Sequence, residues 1–201
     1  FKMHPFISTM ANMLIIFGLV TYATKGVSFG AIDPAIPNIF IPKAGRFPMI
    51  ILWAIIAVVV VWFIWNKTTF GKNLYAVGGN PEAATVSGIS VFKVTMGAFI
   101  MAGILYGFGS WLECLRMVGS GSAAYGQGWD MDAIAACVVG GVSFTGGIGK
   151  ISGVVTGVLI FTSLTYSLTI LGIDTNLQFI FEGIIILAAV TLDCLKYVQK
   201  K

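Results

Sequence analysis

Residues 5–23, 47–65 and 94–112 each run for 19 residues without a charge. A helical crossing of a bilayer takes about 20 mostly apolar residues, so each run predicts a membrane span. Residues 151–171 make a further span, rich in Thr and Ser, and residues 177–192 another, interrupted by Glu182. Residues 132–149 are apolar but laden with glycine and barely long enough to cross. The pattern predicts an all-α, polytopic transmembrane helix bundle of about six segments filling residues 1–201. The fourth segment is open to being a broken or re-entrant helix, because irregular backbone is tolerated at membrane depth when protein surrounds it.

Composition agrees with the pattern. Of 201 residues, 57% are hydrophobic and 10% charged, and mean hydropathy is +0.93, outside the range of soluble domains. No room is left for a separate soluble domain. The sequence begins at Phe1 rather than Met, and residues 6–23 lack the flanks of a cleaved signal segment, so the chain reads as a fragment or as lacking its start. Cys114, Cys137 and Cys194 are odd in number and widely spaced, and His4 is the single histidine, which suggests neither disulfides nor a metal site; the cysteines read as buried small apolar residues. No basic patch is interleaved with aromatics, which sets nucleic acid aside as a partner. The enclosing partner is membrane lipid.

The net charge of +4 comes from basic residues at segment ends. With six crossings, Lys2, Lys67, Lys72, Lys93, Lys150, Lys196, Lys200 and Lys201 share one side, against Lys25, Lys43, Arg46 and Arg116 on the other. Eight against four assigns the 66–93 loop to the cytoplasm by the positive-inside rule. The 24–46 loop carries Pro34, Pro37 and Pro42, with Pro48 just beyond, and suits an extended outer segment rather than a helix.

Within the 66–93 loop lies "NPEAATVSG". Asn80 is a preferred N-cap, Pro81 fits a first helical turn, and Glu82 sits where the helix dipole favours an anion. Gly88 supplies a stop. Ala83 and Ala84 leave room for close approach, and Gly78 and Gly79 let the backbone turn sharply ahead of the cap. A helix of about two turns is marginal alone and must dock on something. Spacing leaves two readings open, a helix lying against its own bundle or one seated on a partner.

The glycines of the fourth segment, Gly140, Gly141, Gly146, Gly147 and Gly149, strip side chains from about ten residues. Gly149, Gly153 and Gly157 form a stripe if helical, and Gly103 and Gly107 offer a second such surface; stripes of this kind let membrane helices pack closely. Paired glycines equally suit a break beside a translocation path. Asp130 and Asp132 read as helix-end caps. Glu182, the one carboxylate inside a span and without an obvious partner, is either an interfacial residue or a functional one.

Glu82, Ala83 and Ala84, three residues and then Gly88 resemble the EAA-x3-G signature of ABC-importer permeases, whose cytoplasmic coupling helix seats in a cleft of the ATP-hydrolysing subunit. Residues 68–90 are similar to the coupling loop of the monosaccharide permeases, the ribose, xylose and galactose group, and residues 132–162 resemble that group's glycine-rich segment. The tail, residues 191–201, resembles that of the galactose/methyl galactoside members. The likeness covers most of the chain and corresponds to the C-terminal two thirds of such a permease. It implies a transporter subunit rather than an enzyme, in the cell (inner) membrane, importing a monosaccharide, with galactose or a methyl galactoside favoured. It further implies an ATP-binding subunit, an external sugar-binding protein and a second permease subunit, as a homodimer. The family pattern favours a basic residue at position 182, so Glu182 is a departure.

No phosphate-binding loop is present: Gly149-Lys150 is followed by Ile151 and Gly71-Lys72 by Asn73, where Ser or Thr is needed. ATP hydrolysis is thus expected from a partner, and no cofactor or metal is expected in the chain. The competing class is a secondary sugar or ion carrier, which needs paired ionisable groups or discontinuous helices at the midplane. A membrane enzyme lacks the His, Cys or carboxylate cluster its chemistry requires.

Overall fold

A computed structural model describes residues 5–28, 30, 32–33, 35–44, 47–118, 121–143 and 145–198. Lys2, His4, Pro34, Arg46, Lys200 and Lys201, which entered the readings above, lie outside the described residues, as does the side chain of Cys194. In chain order the elements are α1 (Pro5–Thr24), α2 (Ala35–Phe40), β1 (Lys43–Ala44), β2 (Phe47–Pro48), α3 (Ile50–Lys67), α4 (Thr69–Gly79), α5 (Pro81–Val86), α6 (Val91–Arg116), α7 (Trp129–Val139), α8 (Ile151–Ile170) and α9 (Thr175–Val198). The architecture is helical, as the apolar runs predict; the two strands form only a two-residue antiparallel ladder.

Helices α1, α3, α6 and α8 are long and apolar enough to cross a membrane. They account for four of the six expected segments, with ends shifted by a few residues. Helix α9 spans 24 residues and includes the apolar stretch Leu177–Ala188. Helix α7 has 11 residues, about 16 Å at 1.5 Å per residue, roughly half of a hydrocarbon core. The glycine-rich segment is therefore a half-length helix followed by irregular backbone. Apolar side chains along α1 and α3 are largely exposed on the chain, so lipid or other protein must cover them.

The chain divides into two compact units. One comprises Phe1–Ala54 and Gly103–Gln127, the other Ile55–Ala102 and Gly128–Lys201. In the first, Phe40 packs edge-on against Trp111 with ring centroids 5.0 Å apart, and Trp53 against Phe108 at 5.9 Å. Trp53 Nε1 donates to the Phe40 carbonyl at 3.0 Å. Glu113 is paired with Arg116 and accepts a hydrogen bond of 2.6 Å from the Tyr125 hydroxyl; that bond holds the Tyr125 phenol above its ordinary pKa range.

Helix α2 corrects the expectation of an extended outer segment. Asp33 caps it, accepting from Ala35 N at 2.9 Å, and Pro37 is its third residue, where a helix leaves the N–H unused and a proline ring meets no preceding turn. Cys114 is exposed and Cys137 only partly buried, against the expectation of buried cysteines: side chains of an apolar segment need not face protein when lipid solvates them equally well. Gly103 and Gly107 have nothing within 4 Å of where a side chain would begin, so their predicted stripe packs against no other described part of this chain.

The second unit has its core where α7, α8 and α9 meet. Ala135, Ala136 and Phe161 are buried there, with Ile185 and Ile186 against them. Small residues set the spacing: a Cβ on Gly157 would strike the Ala136 carbonyl, and one on Gly140 would strike the Gly153 carbonyl. Gln178 is buried with its amide satisfied, donating to the Ile173 carbonyl at 3.0 Å and to Thr169 Oγ1 at 3.3 Å, as a polar group away from water requires.

Candidate coupling helix and glycine loop

Asn80 starts α5 as predicted. Its backbone is extended, its Oδ1 accepts from Ala83 N at 3.0 Å, and Pro81 opens the helix. The same residue also ends α4, its N–H donating to the Ala76 carbonyl at 3.0 Å. Helix α4 was missed by sequence reading. Its local signal is Thr68, whose Oγ1 accepts from Gly71 N at 3.4 Å as an N-cap does. The 66–93 loop is consequently two short helices joined at one asparagine.

Gly88 ends α5 in a left-handed conformation, φ +80°. Gly88 N donates to the Thr85 carbonyl and Ile89 N to the Ala84 carbonyl, both at 3.0 Å, the pair of bonds that defines a Schellman stop. No neighbour lies within 4 Å of a Gly88 Cβ, so Gly88 is required for its backbone angle and not for space. Ala84 is 4% exposed, whereas Pro81, Glu82, Ala83, Thr85 and Val86 are exposed, Val86 at 90%. Of the two alanines, Ala84 faces the chain and Ala83 faces away.

The glycine loop repeats the device. Gly140 caps α7 and Gly141, at φ +83°, turns the chain, with Gly141 N bonded to the Val138 carbonyl and Val142 N to the Cys137 carbonyl. Ser143 N then donates to the Ile148 carbonyl at 2.9 Å, closing a tight turn that contains Gly146 and Gly147. Gly149 lies before α8 rather than on it; only Gly153 and Gly157 of the predicted stripe are helical.

The structure brings the two glycine pairs together. A Cβ on Gly78 would lie 2.7 Å from Gly147 N, and one on Gly147 would lie 2.6 Å from the Gly79 Cα. Gly78 and Gly79 are the last residues of α4. Gly78 serves close approach, while a Cβ on Gly79 would meet nothing within 4 Å; neither makes the sharp turn expected of the pair, because Asn80 makes it. Tyr75, one turn earlier, donates its hydroxyl to the Gly149 carbonyl at 2.7 Å. Beside this contact is an open depression of about 490 Å³ lined by Asn66, Tyr75, Gly140, Gly141, Gly149 and Lys150 among others.

Asp130 and Asp132 lie in the first turn of α7, but the N-cap is Gly128, with no side-chain cap bond. They favour the helix through its dipole rather than as caps. Asp132 of α7 and Glu182 of α9 lie close enough for their carboxyl groups to interact electrostatically, a like-charged neighbour that sequence reading did not find. Among the described residues no cluster of His, Cys, Asp and Glu is suited to a metal.

Residues 1–190 match the family described as branched-chain amino acid transport system / permease component. The chain is 56% identical, over its whole length and 39% of the relative's, to a galactose/methyl galactoside import permease protein of Treponema pallidum. It is 46% identical to the galactose/methyl galactoside import permease protein of Escherichia coli, with 98% of the chain and 60% of the relative covered. A ribose import permease protein of Bacillus subtilis is 36% identical, with 96% and 60% covered. The chain thus spans between 39% and 60% of the length of these relatives. No solved structure matches it. With four helices among the described residues fit to cross a bilayer, it is a multi-pass membrane protein, and by its match over residues 1–190 the chain belongs to the family of branched-chain amino acid transport system / permease components.

Proposed function

We propose that the chain is part of the permease subunit of an ABC importer for a monosaccharide, galactose or a methyl galactoside. On this reading it lies in the inner membrane with residues 66–93 in the cytoplasm. A second copy completes the path, an external binding protein delivers the sugar, and an ATP-binding subunit grips α5. The supporting observation is the build of α5: a helix of six residues, capped at both ends, resting on Ala84 and offering its other residues outward. A helix this short has little stability of its own, so its two caps and outward face suit a part preorganised for a partner's cleft. The names of the relatives at 45–56% identity support the sugar. No bond in the sugar changes; ATP-driven movement of the partners shifts the permease between outward-open and inward-open states.

A second reading, an ion-driven carrier, draws on the half-length α7 and on the two neighbouring carboxyl groups Asp132 and Glu182, features such carriers use. One assay separates the two. The permease, reconstituted with its ATP-binding and sugar-binding partners, is expected to accumulate labelled galactose only with ATP on the ATP-binding side and to be indifferent to ionophores. Accumulation by the permease alone, on a proton or sodium gradient, would overturn the importer reading and move attention to Glu182.

A further inference from the structure

We propose that the contact of Gly78 with Gly146 and Gly147 is the joint through which movement of α5 reaches the membrane helices; this rests on the importer reading above. Asn80 bonds into both α4 and α5, so the two short helices turn as one piece. Tyr75 and Gly78 fall on one face of α4, at i and i+3, and that face meets the glycine loop. The meeting is backbone on backbone: a Cβ on Gly146 would lie 2.8 Å from the Gly78 carbonyl oxygen. With no side chain between them, no rotamer change can absorb a displacement, and closely packed groups transmit strain. The Tyr75 hydrogen bond to Gly149, across 74 residues of sequence, adds a directional tie. The loop so held joins α7 to α8, which are themselves locked at Gly140, Gly153 and Gly157. A push on α5 therefore arrives at the broken segment and its depression rather than dissipating in the loop.

Adjacent glycines supply the test. A Cβ on Gly78 meets Gly147, whereas one on Gly79 meets nothing within 4 Å; both substitutions raise helix propensity alike. In the permease reconstituted with both partners, the readout is labelled galactose imported per ATP hydrolysed, in complexes checked for assembly. Gly78→Ala is expected to lower that ratio about tenfold while hydrolysis continues, and Gly79→Ala to leave it unchanged. Tyr75→Phe, which keeps the ring and removes one hydrogen bond, is expected to lower it about threefold. It decides the matter if Gly78→Ala fails to assemble. A wild-type ratio in assembled Gly78→Ala and in Tyr75→Phe overturns the joint, as does an equal loss in Gly79→Ala. Absence of ATP-driven import by the wild-type complex overturns instead the importer reading beneath it.

Discussion

Helix α1 turns Leu14, Ile15, Ile16 and Leu19 outward and buries none of its apolar window, whereas α7 tucks Ala135 and Ala136 out of reach and ends on Gly140 against Gly153. The first is the more hydrophobic to read and the less packed to observe. In a bilayer, lipid tails solvate leucine as well as protein does, so apolar side chains need not seek an interior; small residues, which let backbones meet, mark where helices are packed. Hydropathy in this chain therefore finds the spans, and its packed interior lies where glycines of two elements meet, as at Gly140 and Gly153, but not at Gly103 and Gly107.

The largest expected effect breaks that interior. Gly157→Ala puts a methyl group into the Ala136 carbonyl, and the clash is with backbone, which no rotamer change relieves. A loss of about 2 kcal/mol or more is expected, read as a lowered Tm of the permease in detergent. An unchanged Tm would mean that α7 and α8 are not in contact.

Next come the two ends of α5, which separate backbone angle from capping. Gly88→Val forces a β-branched residue to φ +80°, at a cost of about 2 kcal/mol. Asn80→Ala removes one cap bond, at about 1 kcal/mol. Both are expected to reduce ATP-driven import with membrane insertion intact, Gly88→Val more. The reverse order would show that the Asn80 cap, and not the Gly88 stop, limits α5.

The smallest effect is expected at the outward face. Leu14→Ala on α1 should change stability by less than about 0.5 kcal/mol. A larger loss would sharpen the comparison by showing that protein, not lipid, covers this face.

How far these regions could be read in the sequence follows the same division. Long uncharged runs fixed α1, α3, α6 and α8 to within a few residues, because a span's signal is local and one residue more or less hardly alters it. The shape of α5 was legible for a similar reason: Asn80, Pro81 and Gly88 carry their cap chemistry within nine residues. Helix α4 was not, since residues 69–79 mix three glycines, a lysine and an asparagine with apolar residues and their helix is anchored from outside, through Tyr75 and Gly78. Helix α2 was hidden by prolines that break most helices but not at the third position. The pairing of Gly78 with Gly147 could not be read at all. Each glycine advertises a missing side chain, and nothing in either sequence neighbourhood names the other.

The central claim is that α5 is the surface a partner grips, and thiol protection tests it most directly. Val86, 90% exposed, is changed to cysteine in a background lacking Cys114, Cys137 and Cys194, with Asn38→Cys as the control on the opposite loop. The account predicts that an impermeant thiol reagent modifies position 86 only from the cytoplasmic side, that bound ATP-binding subunit blocks the reaction, and that position 38 reacts only from outside with or without the subunit. Equal modification of position 86 in the presence and absence of that subunit, or modification from the outer side, would contradict it.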